Sequence, residues 1–283
     1  NLCSGTTRQT QFCDNNGAIS AFIALLKIED LEVIDQALWG LANIASDCSK
    51  LRDRIIAQNG VEEIVKALKN FSNENLRRNG AWALSNICRS KPIPDYSLIC
   101  MAVPQLCDSI KAEKDQQILS DVFWAVSYIT NDEPGAESVV AQNVLPSLIG
   151  HLSNTDTQIV IPCLRTIGNL LLGTDEQTSL VLKEKNLLPE LFRLTASPVQ
   201  SIRREIFWIL SNITAGTPVQ FEGLMGNPAY VEKIIHTAKN DEPEVQNEAI
   251  WVLSNATINC TPAQIIRLLN NGIYECLLDL LDE

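Results

Sequence analysis

One octapeptide recurs along the chain and limits what the chain can fold into. It reads Leu38-Trp39-Gly40-Leu41-Ala42-Asn43-Ile44-Ala45, then Ala81-Trp82-Ala83-Leu84-Ser85-Asn86-Ile87-Cys88, Phe207-Trp208-Ile209-Leu210-Ser211-Asn212-Ile213-Thr214 and Ile250-Trp251-Val252-Leu253-Ser254-Asn255-Ala256-Thr257. Two variants lie between, Trp124 with Tyr128 and Arg165 with Asn169. The lead positions 39, 82, 124, 165, 208 and 251 stand 43, 42, 41, 43 and 43 residues apart. A period in this range marks a helical solenoid, in which each repeat packs on its neighbours. A spacing of four puts Trp and Asn on one helix face, one turn apart. Stacking the copies predicts a ladder of indoles beside a ladder of carboxamides.

Each repeat reads as a short helix, a middle helix and a long third helix. In the second unit these run from Lys50 to Gln58, Val61 to Asn70 and about Glu74 to Cys88. Val61, Ile64, Val65 and Leu68 give the middle helix one apolar face. Asn59-Gly60, Asn16-Gly17 and Asn271-Gly272 predict turns through left-handed backbone, which glycine tolerates. Pro104, Pro146 and Pro189 fall near the starts of middle helices, where a missing N–H costs nothing. Three helices in ~42 residues match the armadillo/HEAT period. The expected fold is an all-α, right-handed superhelical solenoid of armadillo type, forming a single domain over 1–283. Third helices are expected to end near 46, 88, 131, 172, 215 and 258. Asn1 precedes Asn43 by 42 residues, so residues 1–15 read as the tail of a further copy. Residues 259–283 read as a last repeat without its third helix, and both ends are expected to be cut.

Leu38, Leu41, Ala42 and Ile44 already supply an inward face, so Trp39 and Asn43 are expected to look elsewhere. A carboxamide carries a donor and an acceptor, matching a peptide N–H and C=O. Helices stacked about 8–10 Å apart cover two to three residues of an extended chain rising about 3.3 Å each. The slot between indoles suits the stem of Lys or Arg, with cation–π attraction of about 0.5–2 kcal/mol per contact. Asp47 lies one turn beyond Asn43, and Asp121, Glu205 and Glu248 lie three residues before the lead positions 124, 208 and 251. Together these acids specify a basic peptide. Arg165 interrupts the indoles: it either repels a basic ligand and divides the ladder in two, or pairs with a nearby acid.

A net charge of −12 lacks the basic stripe of a nucleic-acid binder and suits a basic partner. No stretch is long and apolar enough to cross a bilayer, and no signal peptide is visible. Nine scattered cysteines without a C-x-x-C pair read as buried free thiols in a reducing compartment. His151 and His236 each stand alone, so no metal is expected. Asn212-Ile213-Thr214 and Asn255-Ala256-Thr257 match the glycosylation pattern but lie on ladder helices. With no P-loop, Rossmann glycines or H-E-x-x-H, neither cofactor nor catalytic residue is expected.

The ordered set Trp39/Asn43, Trp82/Asn86, Trp124/Tyr128, Arg165/Asn169, Trp208/Asn212, Trp251/Asn255 resembles the armadillo core of importin-α, the adaptor for nuclear localisation signals. Ser4-Gly5-Thr6, Ser85-Asn86-Ile87-Cys88-Arg89, Gly173-Thr174-Asp175-Glu176-Gln177-Thr178 and Ser211-Asn212-Ile213-Thr214-Ala215-Gly216 match the family's style. The resemblance implies a major site of Asn1, Trp39, Asn43, Trp82, Asn86, Trp124 and Tyr128. There one lysine would meet the Gly5 carbonyl, the Thr10 hydroxyl and Asp47, with Asp121 serving a neighbouring basic residue. It implies a minor site, for the second cluster of bipartite signals, of Asn169, Asp175, Thr178, Glu205, Trp208, Asn212, Glu248, Trp251 and Asn255, bounded by Arg165. Asn131 replaces a common acid, with Asp132 next to it, and Leu171-Leu172 is more apolar than the family pattern. Implied partners are Lys/Arg-rich localisation signals, importin-β through an N-terminal segment outside this sequence, and an export receptor, with shuttling between cytoplasm and nucleus. The competing expectation is an armadillo scaffold with no role in import.

Overall fold

A computed structural model describes residues 2–70, 73–89, 91–258 and 260–281. Among the described residues all regular structure is helical. The helices group into two compact units, Asn1–Val144 and Leu145–Glu283.

The first unit holds α1 (Thr7–Asn15), α2 (Ala18–Leu25), α3 (Leu31–Asp47), α4 (Ser49–Ala57), α5 (Gly60–Asn70), α6 (Glu74–Cys88), α7 (Tyr96–Ile99), α8 (Val103–Ala112), α9 (Gln116–Ile129) and α10 (Glu133–Ala141). The third helices α3, α6 and α9 start at Asp30, Asn73 and Asp115. Each of these side chains accepts from backbone N–H groups of the first turn, a cap worth about 1 kcal/mol. α3 packs along α6, and α6 along α9. Their inner faces are fully buried: Leu38, Leu41, Ala42 and Ile44 on α3, Ala83, Leu84 and Ile87 on α6. Truncating such a Leu to Ala costs about 2–5 kcal/mol.

The second unit holds α11 (Leu145–His151), α12 (Thr157–Leu170), α13 (Asp175–Leu182), α14 (Leu187–Leu194), α15 (Gln200–Thr214), α16 (Pro218–Met225), α17 (Pro228–Asn240), α18 (Pro243–Ile258), α19 (Pro262–Asn270) and α20 (Ile273–Leu281). Here α12 packs on α15 and α15 on α18. The short helices α13, α16 and α19 open with a Thr-x-x-Gln capping box, at Thr174/Gln177, Thr217/Gln220 and Thr261/Gln264, as α1 does with Thr6/Gln9. Two of these glutamines also reach back one repeat. Gln220 Nε2 donates to Asp175 O at 2.9 Å and Gln264 Nε2 to Pro218 O at 3.0 Å. The cap therefore also sets the register between repeats.

Two local expectations change. α9 and α12 end at Ile129 and Leu170, two residues before the expected 131 and 172. Tighter bonds close them, Asn131 N to Tyr128 O and Leu172 N to Asn169 O. Left-handed backbone is present at Gly17 and Gly272, but in the Asn59–Gly60 turn it falls on Asn59 (φ 60°). Gly60 answers a different need, since a Cβ there would lie 2.7 Å from Ile55 O.

Candidate functional site

In the first unit Trp39, Trp82 and Trp124 sit half-buried on three successively packed helices. Trp39 and Trp82 line a cleft of about 440 Å³ with Arg78, Asn79, Gln117, Ser120 and Asp121. Burial pushes the Asp121 carboxyl up to about 6, because a charge taken from water loses solvation. Arg78 places a cation in the cleft wall, held by Glu74 and Asp115 at 2.8 Å each. At the rim Asn79 Nδ2 donates to Asp35 Oδ1 at 2.7 Å. Arg78 stands four residues before Trp82, so helical spacing alone could have placed it on this face. Trp124 and Tyr128 stack, with centroids 5.8 Å apart and planes 24° from parallel. Burial raises the Tyr128 phenol, and Arg89 opposes that shift.

The carboxamides are less uniform than the sequence implies. Asn43 Nδ2 donates to Trp39 O of its own helix at 2.8 Å. Asn86, nearly fully buried, donates to Ala42 O of the preceding third helix at 3.2 Å. Asn255 does the same to Ser211 O at 3.1 Å. Asn169 is buried, whereas Asn212 Nδ2 is shielded from solvent and lacks a hydrogen-bond partner. Asn86 and Asn255 thus each tie their third helix to the preceding one with an amide hydrogen, a role sequence reasoning missed.

The residues expected around one lysine come from α1, α3 and Gly5 just after the 3₁₀ turn Leu2–Ser4, and both α1 and that turn pack on α3. Thr10 is buried and its hydroxyl donates to Cys3 O and Thr6 O, at 3.4 and 3.3 Å. Gly5 is exposed and follows the turn. Asp47 closes α3 with Oδ2 shielded from solvent and without a hydrogen-bond partner. Asn1 lies outside the described residues. Thr178 repeats the Thr10 arrangement in the second unit, donating to Leu171 O at 3.3 Å, seven residues back. Asp175 is exposed on the first turn of α13.

In the second unit Arg165 and Glu205 form an ion pair. The Arg165 guanidinium also lies 4.9 Å from the Trp208 ring centroid, a cation–π contact. Of the two expectations for Arg165, the structure shows pairing with a nearby acid. Glu205, expected to await a ligand cation, already has one, although its Oε2 is shielded and unpartnered. Burial raises the Glu205 carboxyl despite Arg165 and Arg204, and raises Glu248 as well. The Trp208 ring lies against Gly168 of α12, where a Cβ would come within 2.1 Å of the ring. Trp251 is exposed. Gly168 was missed too. Its signal is the small residue three after each lead position: Ala42, Ser85, Ser127, Gly168, Ser211, Ser254.

All nine cysteines are free thiols, and burial pushes Cys88 and Cys107 up to about 12. Among the described residues no His/Cys/Asp/Glu group could hold a metal, and no helix is long and apolar enough to cross a membrane.

The armadillo/beta-catenin-like repeat model matches residues 6–46, 48–89 and 132–172. The crystal structure of an engineered protein superposes with TM-score 0.91 at 24% identity, over 100% of this chain and 68% of that one. A designed armadillo repeat protein in complex with the peptide (KR)4 gives TM-score 0.77 at 18% identity, over 84% of this chain and 99% of that one. The fold is an all-α armadillo solenoid. Importin subunit alpha-1b of Oryza sativa subsp. japonica is 35% identical over 211 residues, 74% of this chain and 39% of that protein. Importin subunit alpha-3 of Arabidopsis thaliana is 34% identical over 209 residues, also 74% and 39%. The chain belongs to the importin-α family of armadillo-repeat proteins. These matches cover about two fifths of each relative's length.

Proposed function

We propose that this chain is the signal-binding part of a nuclear import adaptor, holding basic peptides in extended form without making or breaking bonds. The observation that carries the reading is the cleft between Trp39 and Trp82 with Asp121 in its wall. Indole faces attract the cationic end of Lys or Arg and cover its methylene stem. The carboxylate supplies the charge such a group needs when it leaves water. Asp47, with an unpartnered shielded oxygen, is the second acceptor in this unit. Trp208, Trp251, Asn212 and Glu248 form the second binding stretch, for bipartite signals. That a designed armadillo protein binds (KR)4 supports the chemistry. Importin-β and an export receptor are the proposed partners of the whole protein, and shuttling between cytoplasm and nucleus its proposed distribution.

The test is fluorescence anisotropy with labelled (KR)4 and an acidic control peptide. The basic peptide should bind and weaken with salt, since exposed charges are screened beyond about 8 Å at physiological ionic strength. Trp82→Ala removes a wall of the cleft and should cost about 0.5–2 kcal/mol, roughly two- to thirtyfold in affinity. Asp47→Lys should weaken binding at least as much. Unchanged affinity in both variants, or preference for the acidic peptide, would favour a scaffold with other partners.

A further inference from the structure

Two of the nine thiols lie together beside Gly5 and Thr10. The 3₁₀ turn Leu2–Ser4 packs on α1. The Thr10 hydroxyl of α1 donates to Cys3 O at 3.4 Å, so Cys3 sits against the Thr10 face of that helix. Cys13 follows Thr10 by three residues, on the same face and about 4.5 Å further along the axis. Cys3 is buried and Cys13 half-buried. Burial pushes the Cys3 thiol up to about 11, and hydrogen bonding and charge from the Cys13 thiol add to it. Burial also raises Cys88, Cys107 and Cys276, but the side chains acting on those are Arg52, Lys111, Asp108, Lys239 and Asp279 rather than thiols.

We infer that Cys3 and Cys13 are a redox-responsive pair, which closes to a disulfide by exchange with a small-molecule disulfide such as oxidised glutathione and weakens basic-peptide binding as it closes. The inference rests on the peptide-binding reading above and adds regulation of that same site. Cys13 is the more accessible thiol, so its thiolate attacks one sulfur of the oxidant. One glutathione leaves as thiolate and takes up a proton, and Cys13 is left in a mixed disulfide. Cys3, its proton given to water, then attacks Cys13 Sγ and expels the second glutathione. Two protein thiols are oxidised, and one glutathione disulfide is reduced to two thiols. Excess thiol drives the same exchange backwards, so the state of the pair follows the surrounding redox poise. The new bond closes a ring over residues 3–13, which contains both Gly5 and Thr10. An S–S bond is about 2.05 Å long, well inside non-bonded contact, so closure draws the turn along α1. The Gly5 carbonyl and the Thr10 hydroxyl move with it, and a hydrogen bond weakens steeply once its geometry is lost.

The experiment equilibrates the full chain in glutathione buffers of rising oxidised fraction, quenches by alkylation and maps the tryptic peptides. Arg8 separates the two cysteines and the next basic residue is Lys27, so their disulfide joins the peptide ending at Arg8 to residues 9–27. That linked species needs no variant to detect. It should appear as the buffer is oxidised and vanish with dithiothreitol. Anisotropy with labelled (KR)4 on the same samples should show affinity falling about threefold or more on oxidation, the worth of one hydrogen bond, and recovering on reduction. In Cys13→Ala, oxidation should leave the affinity unchanged. Cys13 found only as a glutathione adduct, with no linked species, overturns the inference. A linked species with unaltered affinity overturns it too, as does a loss of affinity that persists in Cys13→Ala. Failure of the reduced chain to bind (KR)4 overturns the peptide-binding reading instead, while the linked species still decides whether the pair closes.

Discussion

Arg165→Ala isolates the electrostatics that distinguish the second unit. Arg165 is 39% exposed and its partner Glu205 only 4%. Breaking a fully buried pair costs about 3–5 kcal/mol and an exposed one about 0–1 kcal/mol, so this half-open pair should cost about 2 kcal/mol. Loss of the Trp208 contact adds about 0.5–1 kcal/mol. The stranded carboxylate can also escape by protonation, which sets a ceiling. From an ordinary value of 4.5, keeping a proton at pH 7 costs about 1.4 kcal/mol per pH unit, or about 3.4 kcal/mol. The expected loss at neutral pH is therefore about 2–4 kcal/mol.

Its pH dependence follows from the direction of the Glu205 shift. Its carboxyl is raised in the folded state and is raised further once Arg165 is gone. The folded state then holds a proton that the unfolded chain has released. Stability falls as pH climbs from the unfolded value towards the folded one and is level above it. Below pH 4.5 both states are protonated and only the lost Trp208 contact remains. Repeat arrays open locally, so the assay is hydrogen exchange of α12 and α15 at pH 7.5 and 5.0, with α3 as internal reference. Arg165→Ala should lose protection strongly at pH 7.5 and much less at pH 5.0, and Glu205→Gln in the same chain should restore most of it. An equal loss at both pH values, or no recovery with Glu205→Gln, would refute the argument that an uncompensated buried carboxylate is the cause.

Two further outcomes follow from the same geometry. With Asp121 at about 6, its charge is mostly present at pH 7 and mostly absent at pH 5. Basic-peptide affinity should drop by up to about tenfold over that interval, and Asp121→Asn should remove that component of the profile; an unchanged pH profile in the variant would remove Asp121 from the site. Gly168→Ala would ordinarily stabilise a helix by about 1 kcal/mol. Here its Cβ meets the Trp208 ring, and overpacking costs about 1–3 kcal/mol. Denaturation should show no gain in stability, and Trp208 should become more accessible to acrylamide; a stabilised protein with unchanged quenching would contradict the placement of the ring.

The sequence by itself determined the helices, their period and the face carrying the indoles. These depend on local spacing: apolar positions at helical intervals, caps at Asp30, Asn73 and Asp115, and a lead residue four before its Asn. Leu38, Leu41, Ala42 and Ile44 are buried and Trp39 half-buried, as that spacing requires. The tertiary structure decided which polar groups remain for a ligand. Glu205 and Glu248 occupy the same place in their repeats, yet Glu205 is paired with Arg165, forty residues away. Asn86 and Asn43 look equivalent, but Asn86 reaches Ala42 on the neighbouring helix and Asn43 turns back to its own. Spacing along one helix says which way a side chain faces. Whether its charge or amide is already satisfied depends on what the next helix brings within about 3 Å, and only stacking sets that distance.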